Sequence, residues 1–420
     1  MTAVPSYGGT RIKQAGAPDS PAPLLLEDCA KSARVRLGDS APVAYGSGMR
    51  RFLLCLSLFV FGVAAVPAPV ASLRWGPFYD GDVEAQRSLA RGVEDWVDEG
   101  VTDKAFATGS ARFDNEWHFG AMMMAAMGFG QTALEHPELT PKHAALMTRC
   151  IDDLLAPEGH TFDTDAWGKD PLDDLQGTSG HIAFLGYANL ALSLARLVGT
   201  DAVHAGWNDR LTAAIARRYE AHPGTLIETY PGERYPVDNA AAIAALAVYD
   251  RATGANHQAI IHRWIATAAR RWVDKPTGML LQYIHRDGSG EPRGSGTLLA
   301  AYFLSFADAR FSEGLFEAAK RNLHGSVLGF EAMREFPHGV DHRGDIDSGP
   351  LIAGFGISPT GFALGSARTF QDRNLYVGIG ATVEAFGAPV TADGALHFTT
   401  GGPLGDAILF AMLTAPTGPL

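Results

Sequence analysis

The feature that most constrains the fold is a long succession of helical patterns that begins near residue 82 and continues to the end of the chain. Apolar and small residues recur at i, i+3 and i+4 spacing, and almost no run shows the strict alternation of a half-buried strand. The sequence therefore predicts an all-α fold. The predicted helices cover residues 82–98, 116–135, 141–155, 180–198, 204–221, 239–252, 256–273, 296–307, 311–324, 350–366, 371–387 and 404–414.

Two kinds of helix alternate along the chain. Residues 180–198, 239–252 and 350–366 are apolar nearly all round and rich in Ala and Gly, which is typical of helices enclosed on every side. Residues 204–221 and 256–273 carry basic side chains along one face, which suits helices that meet water. The basic residues are Arg217, Arg218, His262, Arg263, Arg270 and Arg271. The pattern predicts two concentric rings, an (α/α)6 toroid of six helical hairpins.

Capping residues mark the predicted helix ends. N-caps are predicted at Ser179, Asp238 and Ser348, first-turn prolines at Pro350 and Pro403, and C-cap glycines at Gly199, Gly254 and Gly325. Long loops before the inner helices recur about every 55 to 65 residues, as in an array of similar units. These loops are residues 113–118, 162–181, 226–239, 285–296, 334–350 and 397–406. Because the inner helices of such a toroid are roughly parallel, we expect all the loops around the mouth of one central cavity.

The charge and the cysteine content narrow the class of protein. The formal net charge is −12 and Lys and Arg are scattered along the chain. Binding to nucleic acid or to an anionic membrane surface requires a basic footprint, so neither is expected as a partner. Cys29 and Cys55 precede the predicted globular part, which leaves Cys150 alone there and without a disulfide partner. Without a disulfide, the stability of the fold must come from packing. A chain of 420 residues is long enough to bury a large core in one domain.

An export signal is predicted before the helical part. Met49 is followed by Arg50 and Arg51 and then by an apolar run over residues 52–65, and small residues suit cleavage near Ala65 or Ser72. The predicted organisation is a disordered extension or misassigned start over 1–48, a signal peptide over 49–72 and a catalytic domain over 75–420. The protein would then be periplasmic or secreted. The alternative is a signal anchor in the inner membrane, although a bilayer span needs about 20 apolar residues.

Asp238 is a candidate catalytic carboxylate at the start of an apolar inner helix. It can cap the helix, and it can also act as a partly desolvated base or nucleophile. The two roles are compatible. Tyr230, Tyr235 and Asn239 are the neighbouring candidates for substrate binding.

A second group of candidates opens another inner helix, in Phe-Asp-Asn-Glu-Trp-His at residues 113–118. Asp114 and Glu116 are candidate catalytic carboxylates, although negative charge at a helix N-terminus is also ordinary capping chemistry. Trp117 and His118 are candidate substrate-binding residues, since an aromatic side chain at a cavity mouth can form an apolar or sugar-stacking wall.

His181 follows Gly180 at the next inner helix. A lone His on an apolar face is usually a satisfied core residue, but in the first turn of a cavity-lining helix its imidazole can face a substrate. His181 is therefore a candidate catalytic residue and Tyr187, on the same helix, a candidate for substrate binding. The loop upstream is either a solvated turn or a substrate loop, and it contains Trp167, Asp170, Asp173 and Asp174.

Asp345 and Asp347 lead into a further inner helix and point to one side if their segment is extended. Asp347 is a candidate catalytic residue and Asp345 a candidate for substrate binding. An Asp-x-Asp pattern is a weak signal for a hard cation, but nothing nearby completes the oxygen-rich ligand set that calcium needs.

No metal or cofactor is expected from the sequence. His338 and His342 have the spacing of helical zinc ligands, but Pro337 and Gly339 break such a helix. The sequence also lacks a phosphate-cradling Gly-Lys-Ser/Thr loop, a dinucleotide fingerprint after a strand and a Gly-x-Ser-x-Gly elbow. The chemistry that the sequence predicts is therefore acid/base catalysis by side chains without a cofactor.

Several short motifs carry a family resemblance. They are Asp170-Pro, Gly180-His181 before a Leu-rich Gly-Tyr helix, Val-Tyr-Asp-Arg at residues 248–251 and Phe-Ser-Glu at residues 311–313. On these motifs the segment from Gly168 to about Gly349, a little under half of the chain, resembles the linalool dehydratase/isomerase family. Members of that family form an exported toroid of six helical hairpins.

The resemblance implies a site and a reaction. In that family the cavity binds an acyclic monoterpene alcohol, and a His, a Tyr, an Asp and two cysteines remove a hydroxyl group without a cofactor. The family histidine corresponds to His181. The second cysteine falls on Asp238 and the first near Glu228 and Thr229, so the pocket is more polar here and Glu228 becomes a candidate for substrate binding.

Three functional hypotheses follow. The first is a lyase or isomerase that acts on a small hydroxylated molecule, with Asp238 and His181 handling protons and Asp114, Glu116 or Asp347 assisting. The alternative is a glycan-active enzyme, either a glycoside hydrolase or a polysaccharide lyase, because paired carboxylates beside Trp and Tyr suit sugar cleavage. A binding or scaffold protein is the third, and buried acidic groups would be hard to explain in it. The expected partner is an alcohol or a sugar, and association of several copies stays open.

Overall fold

The computed structural model describes residues 67–199, 203–327, 329–340 and 342–419. The predicted extension and residues 49–66 of the predicted signal peptide lie outside these ranges. Residues 67–72 belong to the first helix, α1 (Pro67–Tyr79), whose Trp75 is buried and stacks on Phe398. In the described ranges, no helix is both long enough and apolar enough to cross a membrane.

Helices make up most of the described chain. After α1 come α2 (Val83–Glu99), α3 (Ala111–Glu135), α4 (Thr140–Leu155), α5 (Thr161–Trp167), α6 (Ile182–Val198), α7 (Ala205–Ala221), α8 (Pro236–Thr253), α9 (Gln258–Arg271), α10 (Gly294–Leu304), α11 (Ala309–Leu323), α12 (Ile357–Thr369), α13 (Arg373–Phe386) and α14 (Gly402–Leu413). Two antiparallel hairpins pair β1 (His324–Val327) with β2 (Phe330–Met333) and β3 (Pro389–Ala392) with β4 (Ala395–Phe398).

The helices form two rings. Helices α3, α6, α8, α10, α12 and α14 each contact the next one in this order, and α14 returns to α3, so the inner ring closes. The outer ring consists of α2, α4, α7, α9, α11 and α13, each preceding an inner helix in the chain. The fold is therefore the predicted all-α (α/α)6 toroid.

The apolar inner helices explain why the ring is stable. Every side chain from Ala240 to Leu246 on α8 is fully buried, as expected for a helix with neighbours on all sides. Hydrogen bonds between inner helices satisfy buried polar side chains that apolar packing alone would leave without partners. The Tyr302 hydroxyl donates to Gln131 Oε1 at 2.8 Å, and Gln131 Nε2 donates to the Ala411 carbonyl at 2.8 Å.

The connections are short at one end of the hairpins and long at the other. Residues 136–139, 254–257, 305–308 and 370–372 each join an inner helix to the following outer one. Residues 100–110, 156–181, 222–235, 272–293, 324–356 and 387–401 lead from an outer helix to the next inner one. The long loops thus all precede inner helices, as predicted.

Some helix ends agree with the sequence and others do not. Gly199 and Gly254 end α6 and α8 in the left-handed conformation, and Pro403 lies in the first turn of α14. Ser179 and Asp238 are not N-caps, because His181 and Tyr235 hold those positions. The predicted cap at Gly325 is wrong as well, because this glycine lies in β1.

The inner helix predicted over residues 350–366 begins at Ile357 instead. Gly349, Ala353 and Gly354 have φ values of 67°, 53° and 84°, which a right-handed helix excludes. Ser348 and Pro350 consequently belong to the preceding loop. The loop makes an isolated antiparallel bridge between Ile352 and Phe355.

Arg218 does not meet water as the basic face of α7 predicted. It is fully buried and donates from Nε to the Gly180 carbonyl and from Nη2 to the Asp174 carbonyl, at 3.0 and 2.9 Å. This guanidinium therefore anchors the loop before α6 to the outer helix. Arg263, Arg270 and Arg271 on α9 are exposed, as expected.

Candidate active site

The first carboxylate of the candidate site is Glu116, in the second turn of α3. The helix begins at Ala111, so the predicted loop over residues 113–118 is helical. Burial, together with the smaller effect of the nearby Asp238 and Asp347 charges, raises the pKa of Glu116 to about 7, although the Tyr230 hydroxyl and Arg112 lower it. Its Oε2 is buried and has no hydrogen-bond partner among the described residues. Glu116 can therefore hold a proton near neutral pH.

The second carboxylate, Asp238, lies in the first turn of α8 and is buried. The Tyr187 hydroxyl donates to its Oδ1 at 2.9 Å, and the Thr229 hydroxyl donates to its Oδ2 at 2.6 Å. Burial raises the pKa of Asp238 to about 6, while these two hydrogen bonds lower it. The hydroxyl groups fix the orientation of the carboxylate and favour its ionised form.

The third carboxylate, Asp347, comes from the loop before α12. Its Oδ2 accepts a 3.3 Å hydrogen bond from Gln282 Nε2, in the loop before α10. The surrounding protein desolvates the carboxyl group and raises its pKa, and the Asp345 charge adds to this effect. The Asp347 side chain nevertheless remains exposed to solvent, so it lies on the open side of the site.

A salt-bridge network holds the Asp347 loop in place. Arg293 donates from both Nη atoms to the two oxygens of Asp345, at 2.5 and 2.8 Å. Its Nε donates to Glu335 Oε1 at 2.6 Å, and Glu335 also accepts from the Ser295 hydroxyl at 2.7 Å. Asp345, predicted to bind substrate, is thus fully engaged with the protein. Its role here is to position the segment that carries Asp347.

Three tyrosines surround the carboxylates. Tyr187 bonds to Asp238, Tyr235 donates to Glu233 Oε2 at 3.1 Å, and the Arg112 guanidinium lies 3.7 Å above the ring of Tyr230. Burial and the neighbouring carboxylates raise the pKa of all three hydroxyl groups. The tyrosines therefore stay neutral and can act as hydrogen-bond donors.

These groups come from five inner helices or the loops that precede them. Glu116 and Asp238 interact strongly enough to raise the pKa of Glu116, and Asp347 raises the pKa of both. Each negative charge in such a cluster makes ionisation of the next carboxyl group harder, and Glu116, with a pKa of about 7, is the group best placed to hold a proton near neutral pH. An acid and a base side by side are what proton-transfer catalysis requires.

Two other residues of the predicted loop, Asp114 and His118, have their polar partners outside this cluster. Asp114 Oδ1 accepts from the backbone and hydroxyl of Thr108, at 2.8 and 2.6 Å, and so holds the loop before α3. His118 is buried, with Nε2 at 3.2 Å from Asp153 Oδ1 on the outer helix α4. Trp117 is partly buried and packs against the core. The structure thus brings only Glu116 of this group to the cluster.

His181 belongs to a separate buried network. Its Nδ1 lies 2.5 Å from Asp163 Oδ1, and its Nε2 lies 3.7 Å from Asp174 Oδ2. The ring packs on Trp167 at a centroid distance of 4.8 Å, and Trp167 Nε1 donates to the Thr229 carbonyl at 3.1 Å. His181 has a φ of 61°, which a residue other than glycine rarely adopts. Its contact with the cluster is therefore indirect, through Trp167 and Thr229.

The remaining acidic residues of that loop also have protein partners. Asp170 Oδ2 lies 3.3 Å from His160 Nε2, and its Oδ1 accepts from the backbone of Leu172 at 2.8 Å. Asp173 is exposed. These contacts indicate a turn that the loop itself stabilises.

Asn239 and Glu228 shape the loop before α8. The Asn239 side chain accepts from the Ile227 backbone and the Tyr219 hydroxyl, both at 2.9 Å, and donates to the Ile227 carbonyl at 3.0 Å. Glu228 accepts from Arg234 at 2.8 Å and from the Gly232 backbone at 3.0 Å. Both predicted substrate-binding side chains are therefore engaged in holding the backbone.

Sequence reasoning missed Arg112, Gln282 and the hydroxyl of Thr229 as parts of the site. Only Thr229 had a signal, because the family resemblance places the first cysteine near it. In the described ranges, no group of three or more His, Cys, Asp and Glu residues is arranged to hold a metal ion. His338 Nε2 lies 3.2 Å from the His324 carbonyl, and His342 packs on Phe336.

Comparison with known proteins gives similarity at the level of structure. Neither a family model nor a curated protein matches the chain. Among solved structures, the chain is similar to a selenomethionine derivative of a GH76 alpha-mannanase from Bacteroides thetaiotaomicron. The sequence identity is 10%, the TM-score is 0.45, and the alignment covers 70% of this chain and 84% of the other.

Proposed function

We propose that the chain is a glycan-active enzyme that hydrolyses a glycosidic bond, with Glu116 as general acid and Asp238 as the ionised partner. The observation that carries this proposal is the contrast between two buried, neighbouring carboxyl groups. Oε2 of Glu116 has no hydrogen-bond partner among the described residues, whereas both oxygens of Asp238 accept from hydroxyl groups, and burial raises the pKa of Glu116 to about 7 and that of Asp238 to about 6. Two neighbouring carboxyl groups in different hydrogen-bonding environments are suited to divide the roles of acid and base.

The hydrogen bonds support this division of roles. Oε2 of Glu116 has no partner among the described residues, so a proton there is free to pass to the oxygen of the departing sugar. Asp238 has both oxygens held by hydroxyl donors, which favours the charged form needed to activate water or to attack the anomeric carbon. Asp347 lies on the solvent side and can orient the water that completes hydrolysis.

The polarity of the site favours a sugar over an apolar alcohol. Three carboxyl groups and the hydroxyl groups of Tyr187, Tyr230 and Tyr235 interact in the cluster. A substrate rich in hydroxyl groups can satisfy such donors and acceptors, whereas a hydrocarbon chain would leave them unpaired.

Removal of a hydroxyl group from a small alcohol, the reaction of the linalool dehydratase/isomerase family, is the second candidate. The Tyr187–Asp238 hydrogen bond favours it, because a carboxyl group with a pKa of about 6 could pass a proton through the phenol to a substrate hydroxyl. His181, which the resemblance makes catalytic, instead interacts with Asp163 and Asp174.

A substrate screen separates the two candidates. The purified protein is incubated with oligosaccharides, nitrophenyl glycosides and allylic alcohols, and the release of reducing ends, nitrophenol and alkenes is measured. We expect glycoside cleavage. Glu116→Gln should slow cleavage of unactivated oligosaccharides by about 10²- to 10⁴-fold, and nitrophenyl glycosides much less, because their leaving group needs no proton.

Glu313→Gln, at an exposed position on the outer helix α11, is the matched control and should retain full activity. Conversion of allylic alcohols alone would replace the proposal with the second candidate. Equal loss of activity on activated and unactivated glycosides would contradict the role of Glu116 as acid.

A further inference from the structure

A cleft of about 400 Å³ lies beside the candidate active site, formed by loops that open three successive inner helices. Its walls are residues 225–228 before α8, residues 284–288 before α10, and Gly180 before α6. The same loops carry groups of the candidate site, since Thr229 and Gln282 belong to them.

The cleft is basic although the chain is acidic. Arg234, Arg271 and Arg286 line it. Arg234 is neutralised by Glu228 at 2.8 Å. Arg271 and Arg286 are exposed and make no ion pair within the described parts of the chain. Two guanidinium groups without an ion-pair partner among the described residues thus lie in one cleft of a protein with a net charge of −12.

The acidic residue on the rim does not offset these charges directly. Asp287 faces its own turn, where its Oδ1 accepts from the backbone and hydroxyl of Ser289, at 2.9 and 2.6 Å. The arginines are therefore available to an anionic ligand. A guanidinium group presents paired donors that match a carboxylate, a sulfate or a phosphate.

The wall of the cleft is connected to the catalytic candidate Asp238. Ile227 lines the cleft, and its backbone N–H and carbonyl are both held by the amide of Asn239, the residue after Asp238. Two residues beyond Ile227, Thr229 bonds to Asp238 Oδ2. A ligand that spans the cleft and the site would thus meet one rigid, hydrogen-bonded segment.

We infer that this cleft binds an anionic group, a carboxylate or a sulfate or phosphate ester, on a sugar unit adjacent to the bond that is cleaved. The identification of that sugar as part of a substrate rests on the proposed function. Binding of the anionic group itself depends only on the arginines.

Calorimetric titration of the full chain tests this inference with glucuronate, glucose and inorganic sulfate as probes. We expect glucuronate to bind at least about 10-fold more tightly than glucose, the gain expected for a charge-assisted hydrogen bond. The double variant Arg271→Gln/Arg286→Gln should lose this preference. Both arginines are exposed, so the variant should fold normally.

Arg270→Gln is the matched control, because Arg270 is exposed at the same end of α9 but does not line the cleft. It should bind glucuronate like the wild type. Equal affinity for glucuronate and glucose, or unchanged binding in the double variant, would overturn the inference. Sulfate binding as tight as glucuronate binding would overturn the assignment to a sugar.

The binding measurement is independent of turnover. A preference for glucuronate that depends on Arg271 and Arg286 would support the anion site even if no glycoside were hydrolysed, and only the proposed function would then fail. Hydrolysis of glycosides without any preference for anionic sugars would overturn the anion site alone.

Discussion

The Tyr187 hydroxyl donates a 2.9 Å hydrogen bond to Oδ1 of Asp238, from the second turn of α6 to the first turn of α8. Gly186 makes this approach possible. A Cβ atom at this position would lie only 2.9 Å from the Ala242 nitrogen and 3.0 Å from the Asp238 carbonyl oxygen. Close packing of two inner helices therefore delivers the phenol to the carboxylate.

Loss of the phenol should raise the pKa of Asp238 above its value of about 6, because the hydrogen bond from Tyr187 favours the ionised form. In Tyr187→Phe we expect the acidic limb of the pH–activity profile to move upward by about one pH unit, as for one hydrogen bond to a charged group. Tyr249→Phe is the control, since it removes a 2.9 Å bond to Asp209 far along α8. An acidic limb that stays in place would contradict this assignment.

A side chain at position 186 should separate the two inner helices. Gly186→Ala is expected to lower the free energy of unfolding by about 1–3 kcal/mol, as for other overpacked sites, and to reduce activity by moving Tyr187. Gly206→Ala on the outer helix α7 should instead be neutral or stabilising, because the added Cβ meets no atom within 4 Å. Denaturant unfolding measures both variants, and equal effects would rule out a special role for Gly186.

The buried carboxyl of Glu116 should make the protein less stable at alkaline pH. Its pKa is about 7 in the folded protein and near 4.5 ordinarily, so the folded state retains a proton that the unfolded chain releases between these values. The contribution of Glu116 to the free energy of unfolding is fully present below about pH 4.5 and is lost as the pH rises from there through 7. Glu116→Gln cannot ionise, so it should be more stable than the wild type at pH 8, by at most about 3 kcal/mol.

Thermal unfolding at pH 4 and pH 8 measures this difference. The two proteins should be alike at the acidic pH, and Glu313→Gln should resemble the wild type at both. A lower stability of Glu116→Gln at pH 8 would show that the Glu116 carboxylate is not destabilised by burial.

The Arg293–Asp345 pair should matter for activity more than for stability. Asp345→Asn keeps the shape of the side chain but removes the negative charge to which Arg293 donates two hydrogen bonds. The segment that carries Asp347 should loosen, and kcat/KM should fall by about 10- to 100-fold, the effect expected from a misplacement of about 1 Å. Asp209→Asn, which removes a surface pair with Arg196, should leave kcat/KM unchanged. Equal values in both variants would remove Asp347 from the mechanism.

The fold could be predicted because the inner helices are apolar all round and the outer ones are not. Periodicity places twelve helices near their observed positions, and ring closure follows from their alternation. The predicted helix ends are wrong where a backbone angle, and not the pattern of side chains, determines where a helix begins. Ala353, with a φ of 53°, is an ordinary helix former in the sequence, and nothing local shows that it delays α12 until Ile357.

Only part of the candidate site could be predicted, because the sequence does not show which way a side chain points. Position in the chain identifies the carboxylates that precede inner helices, but rotation about the helix axis decides which of them face the cluster. Asp114 and His118 are four residues apart and share one face, whereas Glu116 is turned about 200° from Asp114 at 100° per residue. The contact of His181 with Asp163 could not be read either, because Asp163 lies on a separate short helix, α5.

The pH dependence of kcat/KM for an unactivated oligosaccharide tests the acid/base pair most directly. We predict a bell-shaped profile with limbs near pH 6 and pH 7, since Asp238 must be ionised and Glu116 protonated. In Glu116→Gln the residual activity should lose its alkaline limb and keep the acidic one. A Glu116→Gln variant that retains both limbs and the wild-type rate would contradict the assignment of Glu116 as the acid.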